Sequence, residues 1–244
     1  MNALDIILFV VVTINILFAG IVLVHSRRES AVVLYALISF FASVWSLATL
    51  LMTSSIASFP VFKIAFFMHY IGGNLAYFSF FLLAAYYPYR ALPSFLPILI
   101  GVINAGVLFS VPTSFFFQSL GETGTLNQRI IFNEPGYLIF VLYLTFFFVL
   151  GEIALLKKMA VAESGERLRL KYIILGTGIA GGFGIVLNLV FPYFGNFNFF
   201  AINPVFVTTA LTGIGLYGLV KYKLFDIRVI TTELLTIGLW IALF

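Results

Sequence analysis

The chain has 244 residues, of which 62% are hydrophobic and 9% are charged, and its mean hydropathy is +1.15. A water-soluble fold cannot cover so much apolar surface, since soluble domains are about half apolar and a quarter charged. The net charge of +4 does not indicate a nucleic-acid partner, because the cations are spread over short loops. The absence of cysteine excludes disulfides, thiolate metal sites and cysteine nucleophiles.

Seven apolar runs of spanning length predict an all-α, polytopic membrane helix bundle. They lie at residues 4–24, 31–52, 62–86, 95–111, 136–156, 172–190 and 201–220. No basic segment precedes the first run, so we interpret it as a retained helix rather than a cleaved signal peptide. An eighth apolar run opens near Val229 and reaches Phe244. We therefore expect a seven-helix domain over 1–220, followed over 221–244 by a cytoplasmic junction and the start of a further membrane helix, as in a truncated chain.

The distribution of Lys and Arg predicts the orientation of the bundle. The loops after the first, third, fifth and seventh runs carry 11 of the 13 cations, and the opposite side carries only Lys63 and Arg129. Short cytoplasmic loops are enriched in Lys and Arg. We therefore expect the N-terminus outside a plasma membrane and the segment Lys221 to Arg228 in the cytoplasm.

The composition of two connecting segments predicts their structure. The segment 112–135, with prolines and glycines, predicts an outer loop or hairpin, and Phe115, Phe116 and Phe117 in it either rest at the membrane interface or cap the bundle from outside. The segment 157–171 has alternating charges and predicts a cytoplasmic extension of the flanking helices.

Small residues predict that the sixth and seventh helices are neighbours. The sixth run has the pairs Gly178 with Gly182 and Ala180 with Gly184, each four residues apart. The seventh run has Thr209 with Gly213 and Leu211 with Gly215. This spacing lets helix backbones approach closely in lipid.

Polar residues inside the predicted spans are the candidates for a ligand site, because buried polar groups are costly in hydrocarbon. We take His69, Asn74, Asn188 and Asn203 as the candidate ligand-binding residues, with Asn15 and Asn104 as further polar positions. His69 titrates near neutral pH and is a candidate for sensing protons or binding an anion or a metal. The alternative for all of them is hydrogen bonding between helices.

Several membrane chemistries lack their residues in this sequence. The spans contain no central Lys for a retinal Schiff base, no aspartate pair for proteolysis and no HExxH zinc motif. We predict no catalytic residue, no metal site and no cofactor in this chain.

The exit of the seventh run resembles a known family. Tyr217-Gly-Leu-Val-Lys221-Tyr-Lys223-Leu-Phe225-Asp226-Ile227 is similar to the end of the N-terminal seven-transmembrane region of bacterial sensor histidine kinases. The resemblance implies a sensory input module that relays a ligand or membrane signal through the sixth and seventh helices. The signal junction would be Lys221, Lys223, Phe225 and Asp226, with the lysines at the headgroups and Asp226 capping the next helix. The other interpretation of these residues is a topological anchor.

The resemblance also implies partners and an output. The catalytic boxes of a histidine kinase are absent from this sequence, so the parent protein would carry a kinase after residue 244 and would form a homodimer through those downstream segments. Membrane lipid and an unknown small ligand are the other expected partners, and nucleic acid is not. A small-molecule transporter or channel-like protein, or a sensor with a cyclase output, remains the alternative.

Overall fold

The structure is a computed structural model that describes residues 3–25, 30–54, 58–90, 93 and 95–214. In this part of the chain the fold is all-helical apart from one two-stranded hairpin, in agreement with the predicted class. The elements are α1 Ala3–His25, α2 Ser30–Thr53, α3 Phe59–Tyr86, α4 Phe95–Ser110, β1 Phe117–Leu120, α5 Leu126–Arg129, β2 Ile130–Phe132, α6 Glu134–Val161, α7 Ser164–Ile185, α8 Phe191–Tyr193 and α9 Asn203–Thr209. Two π-helical segments follow α7 and α9, at Val186–Val190 and Ala210–Ile214.

The helices coincide with the apolar runs that the sequence predicts. Four helical stretches in the described part are long and apolar enough to cross a membrane, namely Ala31–Thr53, Phe59–Tyr86, Glu134–Val161 and Ser164–Tyr193. Ile6–Leu17 and Phe95–Ser110 form shorter apolar helices. The predicted eighth run, the junction residues and the end of the seventh run lie outside the described residues.

Prolines mark several helix starts. Pro60 and Pro135 stand in the first turns of α3 and α6, where the backbone N–H that proline lacks would have had no partner within the helix. Pro204 likewise stands in the first turn of α9, so it begins this helix.

The long helices are arranged as a closed ring. Helix α1 packs on α2, α2 on α3, α3 on α6, α6 on α7, and α7 on α9 with its π-helical extension. Helix α9 then packs back against α2 and α1 and closes the ring. Helix α4 lies at the periphery against α3. The prediction that the sixth and seventh helices are neighbours is confirmed, since these correspond to α7 and α9.

The α2–α3 pair forms the closest packing in the bundle. A Cβ atom on Gly72 would lie 3.1 Å from the backbone nitrogen of Trp45 and 3.3 Å from the carbonyl oxygen of Phe41, so a side chain there would require the two backbones to move slightly apart. The facing stripe of α2 has small hydroxyl residues that are fully buried, namely Ser39, Ser43, Ser46 and Thr49. Three of these side chains hydrogen-bond the carbonyl four residues earlier, which satisfies them without a partner helix.

The segment between α4 and α6 forms a hairpin, one of the two predicted forms. Strands β1 and β2 pair in antiparallel fashion, with a register irregularity between Phe117 and Ser119. Phe116, which precedes β1, has no exposed surface and packs on Tyr70 and Phe140 with ring centroids 5.0 and 5.1 Å away. The hairpin therefore caps the bundle, whereas Phe115 stays 46% exposed.

The connection between α6 and α7 is short. Helix α6 continues to Val161 and α7 begins at Ser164, which confirms that 157–171 extends the flanking helices. Lys157 and Lys158 consequently belong to α6 rather than to a loop. Lys157 is exposed, whereas Lys158 is buried.

Candidate functional site

His69 on α3 is bonded to α2 through both ring nitrogens. Trp45 Nε1 donates to His69 Nε2 over 2.9 Å, and His69 Nδ1 lies 2.9 Å from Thr49 Oγ1. An indole N–H is only a donor, so Nε2 must be unprotonated and Nδ1 carries the proton. Thr49 in turn donates to the Trp45 carbonyl over 3.0 Å. The imidazole is therefore neutral with both nitrogens engaged, an arrangement that fits hydrogen bonding between helices.

Asn74 and Asn188 line one cavity together with His69. Asn74 comes from α3 and Asn188 from the π-helical segment that follows α7, and Tyr70 and Tyr77 complete the wall. Both asparagines are at most 1% exposed, and none of their four amide oxygen and nitrogen atoms has a partner among the described residues. The lining atoms enclose about 240 Å³ of space, most of it gaps between neighbouring atoms, so that room for about one water molecule remains.

Asn203, the fourth predicted ligand-binding residue, does not line this cavity. It stands at the first position of α9, is fully buried, and has no described partner for its side-chain amide. The other two polar positions bond within or between helices. Asn15 donates to the Val11 carbonyl over 2.9 Å, and Asn104 accepts from the hydroxyl of Tyr143 over 2.8 Å, which ties α4 to α6.

The two π-helical segments are held by tyrosine hydroxyls from other helices. Tyr137 on α6 donates to the carbonyl of Leu189 over 3.2 Å, and Tyr35 on α2 donates to the carbonyl of Leu211 over 2.6 Å. A π-helical turn disturbs the regular helical bonding and is found often at functional sites. Here one such turn places Asn188 beside the cavity. No residue pattern in the sequence had indicated these turns.

A second cavity lies next to the first, and Trp45 and Tyr77 line both. It encloses about 360 Å³ between lining atoms and is bounded by α2, α3, α6, α7 and α9. Its walls are almost wholly apolar, with Phe80, Phe148 and Leu211 among them. The hydroxyl of Tyr77 donates to the Gly181 carbonyl over 2.7 Å, so the partition between the cavities is bonded to α7.

The glycines of α7 make closer contacts than the predicted small pairs imply. A Cβ on Gly184 would lie 2.5 Å from the Tyr77 hydroxyl, and a Cβ on Gly181 would lie 2.1 Å from a ring atom of Phe148. Gly176 faces Ile214, at 3.4 Å from its Cγ2 atom. In contrast, a Cβ on Gly182 would have no described atom within 4 Å. Helix α7 therefore meets the π-helical segment after α9 at Gly176, in ordinary van der Waals contact, whereas Gly182 of the predicted pair Gly178 and Gly182 has no described neighbour.

Two charged side chains of α6 were absent from the predicted set of intramembrane polar residues. The carboxylate of Glu152 accepts a hydrogen bond from Thr177 on α7 over 2.8 Å. Lys158 is 2% exposed, and its ammonium group donates to the carbonyl oxygens of Ala84, Tyr87 and Tyr89 at 2.7–2.8 Å and of Ala85 at 3.2 Å. Lys158 thereby caps the end of α3, where helix carbonyls lack partners.

Outside the spans, Arg129 of α5 lies against the bundle. Its guanidinium carbon is 3.4 Å from the centroid of the Phe62 ring, and its Nε donates to the Gly121 carbonyl over 3.1 Å. Partial burial lowers the pKa of the Arg129 guanidinium from its ordinary value. This contact fixes the hairpin to the N-terminal end of α3.

The signal junction that the sequence predicts, Lys221, Lys223, Phe225 and Asp226, lies outside the described residues. Among those that are described, no group of three or more His, Cys, Asp or Glu side chains is placed to hold a metal ion. The residues that come together are thus His69, Asn74 and Asn188, at the contact of α2, α3 and the π-helical end of α7.

A bundle of long apolar helices around a small polar cavity defines a membrane-embedded protein. Comparison with known families agrees with this class, since residues 7–228 match the model of the N-terminal 7TM region of histidine kinase. The chain belongs to this family, and the resemblance at the end of the seventh run is confirmed. Searches of curated proteins and of solved structures give no match. Membership makes the chain a membrane sensory module of the histidine kinase type.

Proposed function

We propose that this chain is the sensory input module of a bacterial two-component histidine kinase, which binds a small ligand in the cavity at Asn74 and Asn188. Binding changes the position of α7 and α9, and the change reaches a cytoplasmic output through the junction Lys221, Lys223, Phe225 and Asp226. The unpartnered amides of Asn74 and Asn188 beside the π-helical end of α7 carry this proposal. Buried polar groups without partners are rare in native proteins and need an explanation.

The relay requires two arrangements of the helices with different affinity for the ligand. The contact of Gly176 on α7 with Ile214, in the π-helical segment after α9, supports this, because it joins the helix that leads to Asn188 to the segment that precedes the junction in sequence. The closed ring also supports it, since α9 contacts α1 and α2 and cannot shift without changing those contacts. His69 contributes by holding Trp45 in place at the cavity wall.

The topology proposed for the module has seven spans, the N-terminus outside the bacterial inner membrane and the connection between α6 and α7 in the cytoplasm. The absence of cysteine allows a direct test with single-cysteine variants. A membrane-impermeant maleimide should label Glu122→Cys in the hairpin of intact cells. It should label Gly165→Cys, at the start of α7, only after permeabilisation. The opposite pattern would overturn the orientation.

The relay is tested in a chimera that joins the chain to the core of a histidine kinase and is reconstituted in nanodiscs. Gly176→Val should push the π-helical segment after α9 away, because even a Cβ there already contacts Ile214. The basal autophosphorylation rate should change by about fivefold or more, the usual range of coupling between sites. The matched control is Gly182→Val, which faces open space. Equal rates for both variants and the unmodified chimera would refute a relay through α7 and α9.

Homodimerisation through the segments after residue 244 completes the proposal, and membrane lipid is the surrounding partner. A transporter or channel is the competing function. Solute uptake by liposomes that contain the purified chain, lost in Asn188→Leu, would support that function instead.

A further inference from the structure

We infer that the cavity at Asn74 and Asn188 takes a small uncharged ligand with both a hydrogen-bond donor and an acceptor, such as a short alcohol or primary amide. Its apolar remainder extends past Trp45 and Tyr77 into the neighbouring apolar cavity. This inference rests on the proposed sensory function and specifies the chemistry that its site recognises.

The amides determine the polar end of the ligand. Asn74 and Asn188 each present one acceptor oxygen and one donor nitrogen, and all four atoms are buried without a described partner. A ligand that only donates or only accepts leaves part of this set unpaired, which is costly in a buried site. An alcohol or a primary amide both donates and accepts, and so matches the two side chains together.

The lining determines the charge of the ligand. No Lys, Arg, Asp or Glu lies among the described residues that line either cavity. His69 has both ring nitrogens engaged with Trp45 and Thr49, so it offers no counter-charge. An ion buried in such a site would be unpaired, and burying an unpaired charge is far more costly than burying a neutral polar group.

The partition between the cavities links occupancy to α7. The two cavities have room for roughly one or two water molecules each, so a larger ligand has to turn Trp45 or Tyr77. Both side chains contact α7, since a Cβ on Gly184 would lie 2.5 Å from the Tyr77 hydroxyl and 3.2 Å from Cη2 of Trp45. Ligand entry therefore displaces at least one of the two side chains that rest on this helix.

Trp45 provides a direct readout of binding. The chain has two tryptophans, so the Trp240→Phe variant leaves Trp45 as the single fluorophore. This variant is reconstituted in nanodiscs and titrated with hexanamide, 1-hexanol, hexane and hexylammonium at matched concentrations in the membrane. Hexanamide and 1-hexanol should change the Trp45 emission in a saturable way, whereas hexane and hexylammonium should not. A linear response to all four probes, or the strongest response to hexane, would overturn the inference.

Two matched pairs of variants locate the site. Gly73 lines the polar cavity and is buried, and a Cβ there would have no described atom within 4 Å, so Gly73→Ala places a methyl group in the cavity without a clash. Gly106→Ala on α4 is the control, because its Cβ also meets no described atom. The methyl group takes up space that the ligand needs, so Gly73→Ala should weaken hexanamide binding by about tenfold, within the usual cost of overpacking a filled site. Gly106→Ala should leave the affinity unchanged.

Asn74→Leu should abolish the saturable response, and Asn15→Leu, a buried asparagine on α1, should preserve it. If Asn74→Leu does not fold, the Gly73→Ala comparison decides alone. Equal affinity in Gly73→Ala and Gly106→Ala would overturn the site. Because binding is measured without a kinase, saturable binding that leaves autophosphorylation of the chimera unchanged would refute the sensory function and keep the site.

Discussion

Replacing Lys158 by methionine should destabilise the bundle by about 3 kcal/mol, because it removes the cap of α3. Methionine keeps the apolar stem but loses the ammonium group, which donates to the carbonyls of Ala84, Tyr87 and Tyr89 at 2.7–2.8 Å. Hydrogen bonds to a charged group contribute about 1.5–3 kcal/mol each, and the charge at a helix C-terminus contributes up to about 2 kcal/mol. The cost of burying the ammonium, which the mutation relieves, offsets about half of this total.

The measurement is the free energy of unfolding in mixed micelles, followed by near-ultraviolet circular dichroism. Lys157→Met is the matched control, since Lys157 precedes Lys158 on α6 and is exposed. This control should change the unfolding free energy by less than about 0.5 kcal/mol, as is usual for surface substitutions. The same loss in both variants, or none in Lys158→Met, would refute the argument that the carbonyl contacts stabilise the fold.

Three further predictions concern packing and polar contacts. Gly181→Ala should lower the free energy of unfolding by about 1–3 kcal/mol, because its Cβ would lie 2.1 Å from a ring atom of Phe148. Gly182→Ala should be neutral or stabilising by up to about 1 kcal/mol. Thermal unfolding of both variants checks this, and the reverse order would contradict it. Phe116→Ala should lower the free energy of unfolding by about 3 kcal/mol and increase proteolysis of the hairpin, because Phe116 has no exposed surface. Phe115→Ala should do neither. Equal digestion rates for the two variants would contradict the packing of the hairpin on the bundle through Phe116. Thr177→Val should lower the free energy of unfolding by about 0.6–1.7 kcal/mol, because it removes the hydrogen bond to Glu152. Glu152→Gln keeps an acceptor oxygen and should lower it by less. A larger loss in Glu152→Gln would contradict this and would show that another contact of the carboxylate matters.

The helix positions were predictable because hydrocarbon forces each spanning segment to be apolar and helical. The observed α3 and α4 begin and end within three residues of the predicted runs, and the hairpin at 112–135 follows from its prolines and glycines. The continuation of α6 beyond the apolar run was also predicted, from the alternating charges of 157–171. The burial of Lys158 was not, because its acceptors are carbonyls at the end of α3, remote in sequence.

The candidate site was predictable in part. His69, Asn74 and Asn188 share a cavity because each is a polar residue in an apolar span, and such residues turn inward. Which of them has a partner could not be read from the sequence, because the bonds of His69 depend on Trp45 and Thr49 one helix turn apart on α2. The π-helical turn at Val186–Val190 was also invisible, since it is set by Tyr137 from another helix.

The contacts made by the glycines of α7 were likewise predictable only in part. Spacing pointed to Gly178 with Gly182 and to Ala180 with Gly184, but the closest contacts fall on Gly176, Gly181 and Gly184, of which only Gly184 was among the predicted residues. The large side chains of α3, α6 and the segment after α9 decide which glycines are needed. Those neighbours are remote in sequence, so a local pattern does not identify them.

The closed ring has a consequence for how the protein is made. The hydroxyl of Tyr35 bonds the carbonyl of Leu211, which follows 176 residues later in the chain. At the usual pace of translation, roughly 10 to 30 seconds separate the synthesis of these two residues. During that time α1 and α2 lie in the bilayer with their future contact surface turned to lipid or to the insertion machinery. Biogenesis of this module therefore depends on keeping α1 and α2 available until α9 and the segment after it emerge from the ribosome.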